Sequence, residues 1–483
     1  MTMNNLRDSK SLPAMPVSHP QDERIAGGGW PALITAGLSV DLILIDGFII
    51  SVATPEITQA FAVSIDRMGW LVGAYALPLA VAPVIFGAAG DRFGLKRLFF
   101  AGVMLLMLGS IFCALSQDVF QLTLARLLQG TGAAMLSPQT LVVASRALGT
   151  ERRGFAIGVW GAISSLGLLL GPVIGGAVLA YLPWHWIFLI NLPLGVMALV
   201  AFAVTVPERR DSAAVSVRAL PIRSICLLLP AASAIVLSLG ALFHGEVTGI
   251  AGVLIGVTLF TVWIRREAST PDDMPSLIGQ TLLRNSAVSK AAMAAFAINA
   301  STAGTVAVLT TAIADTQSTT PAITTALIFL PAMLLVACAM PFTGKMAQSA
   351  SASGHRLVVI AGLLAVISPL LIGWSVSNAS LHIGICTFAI AVQGLAGAVL
   401  ISFVTVAAMV AGGAQRAGAA SGVVSMARNL GTAIGAAGLT GAMMACGSPA
   451  WAFIASSLFA TLSLPFCILH LHLTPARRSA PTA

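Results

Sequence analysis

Residues 87–115 read GAAGDRFGLKRLFFAGVMLLMLGSIFCAL, a charged turn followed by an apolar run. The first eleven of them carry Asp91, Arg92, Lys96 and Arg97, and the next eighteen carry no charge. At 1.5 Å per residue the uncharged run rises about 27 Å, close to the ~30 Å hydrocarbon core of a bilayer. Another apolar run, 67–87, precedes the turn. The stretch therefore reads as two membrane-crossing helices joined by a short basic connection. Loops rich in Lys and Arg stay in the cytoplasm, which fixes the side of this one.

Working outward, about fourteen such runs appear, at 30–53, 67–87, 98–115, 119–144, 155–180, 186–206, 221–242, 247–264, 289–313, 322–342, 357–375, 382–410, 418–441 and 449–472. Numbering them assigns every loop to one side. Of 25 Lys and Arg, 22 then fall in the two tails or the even-to-odd loops, Arg67 alone falls opposite, and Arg126 and Arg428 lie inside spans. An even number of spans with both termini cytoplasmic satisfies this distribution. Composition agrees, with 57% hydrophobic residues, 9% charged and a mean hydropathy of +0.95, against roughly 25% charged in soluble domains. The expectation is an all-α, multi-pass protein of the inner or plasma membrane. Its net charge of +8 is spread over cytoplasmic loops, where it suits orientation and anionic lipid and gives no reason to expect nucleic acid.

Residues 1–29 read as a disordered cytoplasmic tail and 474–483 as a second one. Charged stretches at 207–223 and 265–290 flank a helix pair poor in polar residues. This suggests a six-helix bundle at 30–206, a linker and inserted pair at 207–288, and a second bundle at 289–473. The pair is expected to be a lipid-facing spacer. Gly344-Lys345-Met346 and Gly354-His355-Arg356 echo, in the second half, the turn after the second span. Repeats of this kind build many secondary transporters, with the substrate near the midplane between them.

Several chemistries are missing from the sequence. It contains no GxxxxGK[ST] loop, HExxH, GxSxG or Cys/His cluster, so no ATP, metal or hydrolase site of those kinds is expected. Cys113, Cys226, Cys338, Cys386, Cys446 and Cys467 lie in or beside apolar runs and are expected to be buried thiols. His185, between Trp184 and Trp186, suits an interfacial aromatic belt.

A charge at the centre of a span costs about 2.5–3.5 kcal/mol on insertion scales and marks a functional candidate. The first span holds Asp41 and Asp46, about 140° apart at 100° per residue. Asp46 shares a small, polar stripe with Thr35, Ser39 and Ala53, as a cavity wall would. Asp41 falls nearer Gly37 and Phe48, a face suited to meeting another helix. Asp46 lies roughly 10 Å below the outer end of its span, and Arg126 lies at about the same depth in the fourth. An acid and a base at matched depth relieve each other's burial. Burial and a guanidinium also pull a carboxylate's proton affinity in opposite directions, as a proton-coupled carrier requires; a static ion pair is the alternative. Arg428, ten residues into the thirteenth span, is a candidate cavity residue, or else it snorkels or pairs structurally. Asp315, near the outer end of the ninth, is a weaker one. Gly167, Gly171, Gly175 and Gly176 with Pro172 form a close-packing seam in the fifth span, on which one bundle could rock.

Together these segments resemble the major facilitator superfamily, in particular its fourteen-helix drug:proton antiporter branch. Gly87-Ala-Ala-Gly-Asp91-Arg92-Phe-Gly94-Leu-Lys96-Arg97 resembles its cytoplasmic gating motif. Leu122-Thr-Leu-Ala-Arg126-Leu-Leu-Gln129-Gly130-Thr-Gly132 resembles the segment whose Arg is linked to proton transfer. The run Gly167 to Gly176 matches the antiporter motif at its glycines and Pro172. Trp184 to Gly195, with Asn191 and Pro193, and Ile45 to Pro55, with Asp46, resemble two further segments of the branch. Departures are Ala89 where Leu is usual, Leu95 where a basic residue is usual, Phe48 and Ser51 for Thr and Asn, and the additional Asp41.

The resemblance implies a major facilitator fold of two six-helix bundles plus the inserted pair, working by alternating access without a cofactor and not as an enzyme. It implies a monomeric, proton-coupled exporter of an amphipathic small molecule. Asp46, with Arg126, Gln129 and Asp41, would handle the proton; Gly87, Asp91, Arg92, Gly94, Lys96 and Arg97 would form the gate. The acids of the first span suggest a cationic substrate. An uptake symporter on the same fold, and a non-transporting scaffold or sensor, are the other readings.

Overall fold

The computed structural model of the protein describes residues 29–63, 65–207, 221–243, 248–271, 274–316, 321–348, 352–377, 382–413 and 416–471. Of the tails expected at 1–29 and 474–483, all but Gly29, which begins the first helix, lie outside them. No strand occurs among the described residues. That is the expected outcome in lipid, where each backbone polar group must be satisfied within its own helix.

The helices are α1 (Gly29–Phe61), α2 (Ile65–Val81), α3 (Pro83–Phe93), α4 (Leu95–Ala114), α5 (Val119–Ala147), α6 (Arg153–Leu179), α7 (Trp186–Leu189), α8 (Asn191–Thr205), α9 (Ile222–Phe243), α10 (Thr248–Ser269), α11 (Gln280–Arg284), α12 (Ser286–Thr316), α13 (Pro321–Gln348), α14 (Ala352–Ser377), α15 (Ile383–Gly412), α16 (Ala417–Cys446) and α17 (Pro449–Leu471). All fourteen expected spans are helical. The three additional elements come from a break in the second span (α2 and α3), the short α7 before α8, and the linker helix α11.

The break has a local cause and a distant partner. Between Leu71–Val81 and Pro83–Phe93 the path bends by 49°. Pro83 has no N–H to give the carbonyl four residues back, so Leu79 O is left free. Asn429 Nδ2 of α16 donates to it at 2.7 Å. Pro55 has no such effect: α1 runs through it to Phe61, beyond the end at 53 that the sequence suggested.

α5 is the least apolar of the long helices, and both α5 and α16 carry long rosters of buried residues. Surrounded by other helices, they need no continuous apolar face for lipid. α5 packs on α4, α2 and α1; α16 packs on α12, α3 and α17. α1 lies along α6, and α6 in turn along α13.

The inserted pair is more than a lipid-facing spacer. α9 packs on α10 but also on α16 and α2. Trp263 of α10 is buried in one cluster with Val84, Ile85 and Ala88 of α3 and Leu282 of α11. Glu267, within the charged stretch at 265–290, is fully buried; it accepts from Ser224 Oγ, and from Ile278 N at 3.0 Å. A carboxylate with fixed donors can tie α9, α10 and the 274–279 segment together.

The cysteines divide. Cys113 and Cys386 are buried, whereas Cys226, Cys338 and Cys446 are exposed, and the side chain of Cys467 is outside the described residues. The expectation of six buried thiols therefore fails for three, which are exposed on their helices. His185 stacks on Trp184 with ring centroids 3.8 Å apart, and burial lowers its proton affinity below the ordinary histidine range.

Candidate functional site

Asp46 sits on α1, Arg126 and Gln129 on α5, Ser110 and Cys113 on α4, Asn191 at the start of α8 and Tyr75 on α2. The helix packing brings all seven together. Arg126 Nη1 is 3.0 Å from Asp46 Oδ2, and both side chains are fully buried. Asp46 Oδ1 accepts from Asn191 Nδ2 at 2.5 Å and from Gln129 Nε2 at 3.1 Å. Arg126 Nη1 also donates to Gln129 Oε1 at 2.9 Å. Ser110 Oγ accepts from Gln129 Nε2 at 2.7 Å and from Asn191 Nδ2 at 3.2 Å, closing the network. Cys113 Sγ lies 3.1 Å from Gln129 Oε1.

The guanidinium carbon of Arg126 stands 4.2 Å from the centroid of the Tyr75 ring and 5.9 Å from that of Phe188. Arg126 Nε and Nη2 have no hydrogen-bond partner among the described residues, and the negative ring faces supply part of their stabilisation. Tyr75 is itself fixed by donating to Ile43 O at 2.8 Å. Gly130 permits this arrangement, since a Cβ there would lie 2.3 Å from Tyr75 O.

Asp46 therefore does not line an open cavity as the stripe had suggested. Thr35, Ser39, Asp46 and Ala53 are all buried, packed against α5 and α8. The carboxylate is drawn in by its three side-chain donors. Asp41 faces elsewhere, against the glycine seam of α6. A Cβ on Gly167 would lie 2.3 Å from the buried Asp41 Oδ1, which lies against the backbone of that glycine. Gly171 meets Ile45 and Phe48, Gly175 meets Ile49, and Gly176 meets nothing within 4 Å. Pro172 is on the exposed side of α6.

The 87–97 turn closes one end of the molecule, the end bearing the basic loops. Asp91 Oδ1 and Oδ2 accept from Gly418 N and Ala419 N, each at 2.8 Å, so the carboxylate caps the first turn of α16. A Cβ on Gly87 would stand 2.1 Å from Gly418 O. Arg92 Nη2 donates to Ser276 O, on the segment that Glu267 also holds. Gly94 has φ +97°, a conformation open to glycine. Lys96 Nζ donates to Ala203 O at 3.1 Å and Val206 O at 2.9 Å, satisfying orphan carbonyls at the end of α8. Arg97 is exposed.

Arg428 lies on α16, partly exposed and apart from the Asp46 network. Asp315 is on the last turn of α12, and its side chain lies outside the described residues. In the second half, Gln393 is buried with Ser301, Thr305 and Ser456. It is the eleventh residue of α15, as Gln129 is of α5, and a glycine follows each. The charged site of one half thus has a neutral counterpart in the other.

Asn191, Ser110, Cys113 and Tyr75 were not anticipated as site residues. Neutral polar side chains in apolar runs are inexpensive and frequent, so they carry little signal. Tyr75 did carry one: it is one of only two tyrosines in the chain.

Residues 37–436 match the Major Facilitator Superfamily. The chain belongs to that superfamily. Multidrug resistance protein Stp of Mycobacterium tuberculosis is 31% identical over 417 residues, covering 83% of this chain and 74% of that protein. The Tetracenomycin C resistance and export protein of Streptomyces glaucescens is 31% identical over 194 residues, 40% of this chain and 36% of that one. Among solved structures, the proton:xylose symporter XylE superposes with a TM-score of 0.64 at 13% identity, over 92% of this chain and 95% of that one, a likeness of fold alone. As a major facilitator protein the chain is a multi-pass membrane transporter of small molecules, not an enzyme.

Proposed function

We propose that the protein is a proton-coupled exporter of amphipathic small molecules, with both termini cytoplasmic and no cofactor. The observation that carries this reading is the fully buried Asp46–Arg126 pair at 3.0 Å, held by Gln129 and Asn191. The names of the relatives, a multidrug resistance protein and an antibiotic export protein, support export.

Asp46 binds and releases the coupling proton. With the proton absent, Arg126, Gln129 and Asn191 hold the carboxylate; with it present, the pull of Arg126 weakens and the network loosens. Enclosure means that exchange with water needs movement of α1, and the glycines of α6 let α1 slide without side-chain collision. Asp41 on the same seam would respond to that movement. The first bundle (30–206) and the second (289–473) then rock about the site, and the Asp91 cap on α16 holds the cytoplasmic side shut between turnovers. Inward proton movement supplies about 2.3 kcal/mol per 100 mV.

The test is accumulation of an amphipathic dye by inverted vesicles containing wild type or Asp46→Asn. Asn keeps an acceptor for Gln129 and Asn191 but cannot exchange a proton. Uncoupler-sensitive accumulation should fall about tenfold or more in the variant, with membrane abundance unchanged. Undiminished accumulation by Asp46→Asn would remove Asp46 from the coupling mechanism. Movement in the opposite direction would make the protein an uptake symporter.

A further inference from the structure

Arg428 is eleven residues into α16, about 16 Å from the basic end at 1.5 Å per residue and so near mid-membrane. It belongs to the stripe Ser421, Ser425, Arg428 and Thr432, which recurs at helical spacing. At the bottom of the stripe Ser421 Oγ donates to Pro138 O of α5, in the other half, at 2.8 Å. Above it the stripe opens progressively: Ser425 is buried, Arg428 is partly exposed and Thr432 is exposed. On one flank Gly422 and Asn429 meet α3 and α2, through Pro83 O and Leu79 O. On the other, Gly431 meets Phe296 of α12. Arg428 therefore projects between the two halves, where a transported molecule must pass.

Its guanidinium has no acceptor among the described residues; beyond the backbone bonds of its helix, Arg428 accepts only from Thr432 Oγ1, through its carbonyl. The buried carboxylates are committed elsewhere. Asp46 holds Arg126, Asp91 caps α16, Glu267 holds Ser224 and Ile278 N, and Asp41 lies against Gly167. The acids that suggested a cationic substrate are thus enclosed, while an uncompensated cation faces the path. Such a charge within a membrane is costly unless a function retains it.

We propose that Arg428 is a substrate-recognition residue for amphipathic organic anions, receiving a carboxylate as a two-pronged hydrogen-bonded pair, with the Thr432 hydroxyl beside it and apolar helix surface around the rest of the molecule. The inference rests on the transport reading only for what happens after binding.

Two fluorescent probes of one apolar body and opposite charge, pyrenebutyrate and pyrenebutylammonium, provide the test. Binding is measured on the full chain in lipid nanodiscs, and uncoupler-sensitive movement in inverted vesicles. Wild type should bind the carboxylate at least about tenfold more tightly than the ammonium. Arg428→Gln should lose that preference, and Arg428→Lys should keep part of it. Equal binding of the carboxylate by wild type and Arg428→Gln, tighter binding of the ammonium, or no binding of either probe by folded protein would each overturn the proposal. Carboxylate binding through Arg428 without uncoupler-sensitive movement would uphold this site and overturn the exporter reading instead.

Discussion

Tyr75 holds Arg126 in two ways, through its ring face and through the hydroxyl that pins the ring to Ile43 O. The two can be separated. Tyr75→Phe keeps the face and should leave export within about threefold of wild type, since one neutral hydrogen bond contributes roughly 1 kcal/mol. Tyr75→Leu removes the face and should lower stability to thermal unfolding by about 2 kcal/mol, the scale of a desolvated cation–π contact. At this scale the sequence disclosed charge and little else. Asp46 and Arg126 stood out because ionised groups in spans are rare and their depths matched. Asn191 and Ser110 did not, because their place beside Asp46 depends on how α8 and α4 pack. Arg428 was visible as a charge, but not as one lacking a partner.

Elements show how one residue type has opposite consequences. Pro83 breaks the second span by 49°, while Pro138 and Pro172 are accommodated within α5 and α6. The carbonyl that Pro83 frees is taken up by Asn429, 350 residues away. Asn429→Leu should therefore destabilise the protein by about 1 kcal/mol or more, the cost of leaving a part-buried carbonyl unpaired. Thermal unfolding measures it, and a double variant that also carries Pro83→Ala should recover part of the loss. The fourteen spans themselves were legible from hydropathy alone. Breaks within them, and the packing of α9 and α10 against α2 and α16, were not, since both are decided by contacts remote in sequence.

Across the whole molecule, the two halves touch at the basic end through backbone. Besides the Gly87–Gly418 contact, a Cβ on Gly154 would lie 2.2 Å from Gly344 O, one on Gly158 2.3 Å from Met340 O and one on Gly422 2.5 Å from Pro83 O. Adding one methyl group at Gly158 should force the halves apart there. Gly158→Ala is expected to insert normally, to lose most of its export, and to raise the labelling of a cysteine at position 425 by a membrane-impermeant maleimide from the basic side; unchanged labelling would show that the contact is not the seal.

Apart from Asp91 and Ser421, whose side chains reach across to the other half, a closure built from glycines and main-chain atoms asks little of the side chains that line the path above it. The walls above Ser421 can therefore be rewritten, one substitution at a time, without disturbing the machinery that opens and shuts. A change of cargo would need mutations along the stripe that holds Arg428, while the hinge is inherited intact. In such a scaffold new specificity and retained motion are separate problems for evolution, and the same separation is open to anyone redesigning the protein for a different molecule.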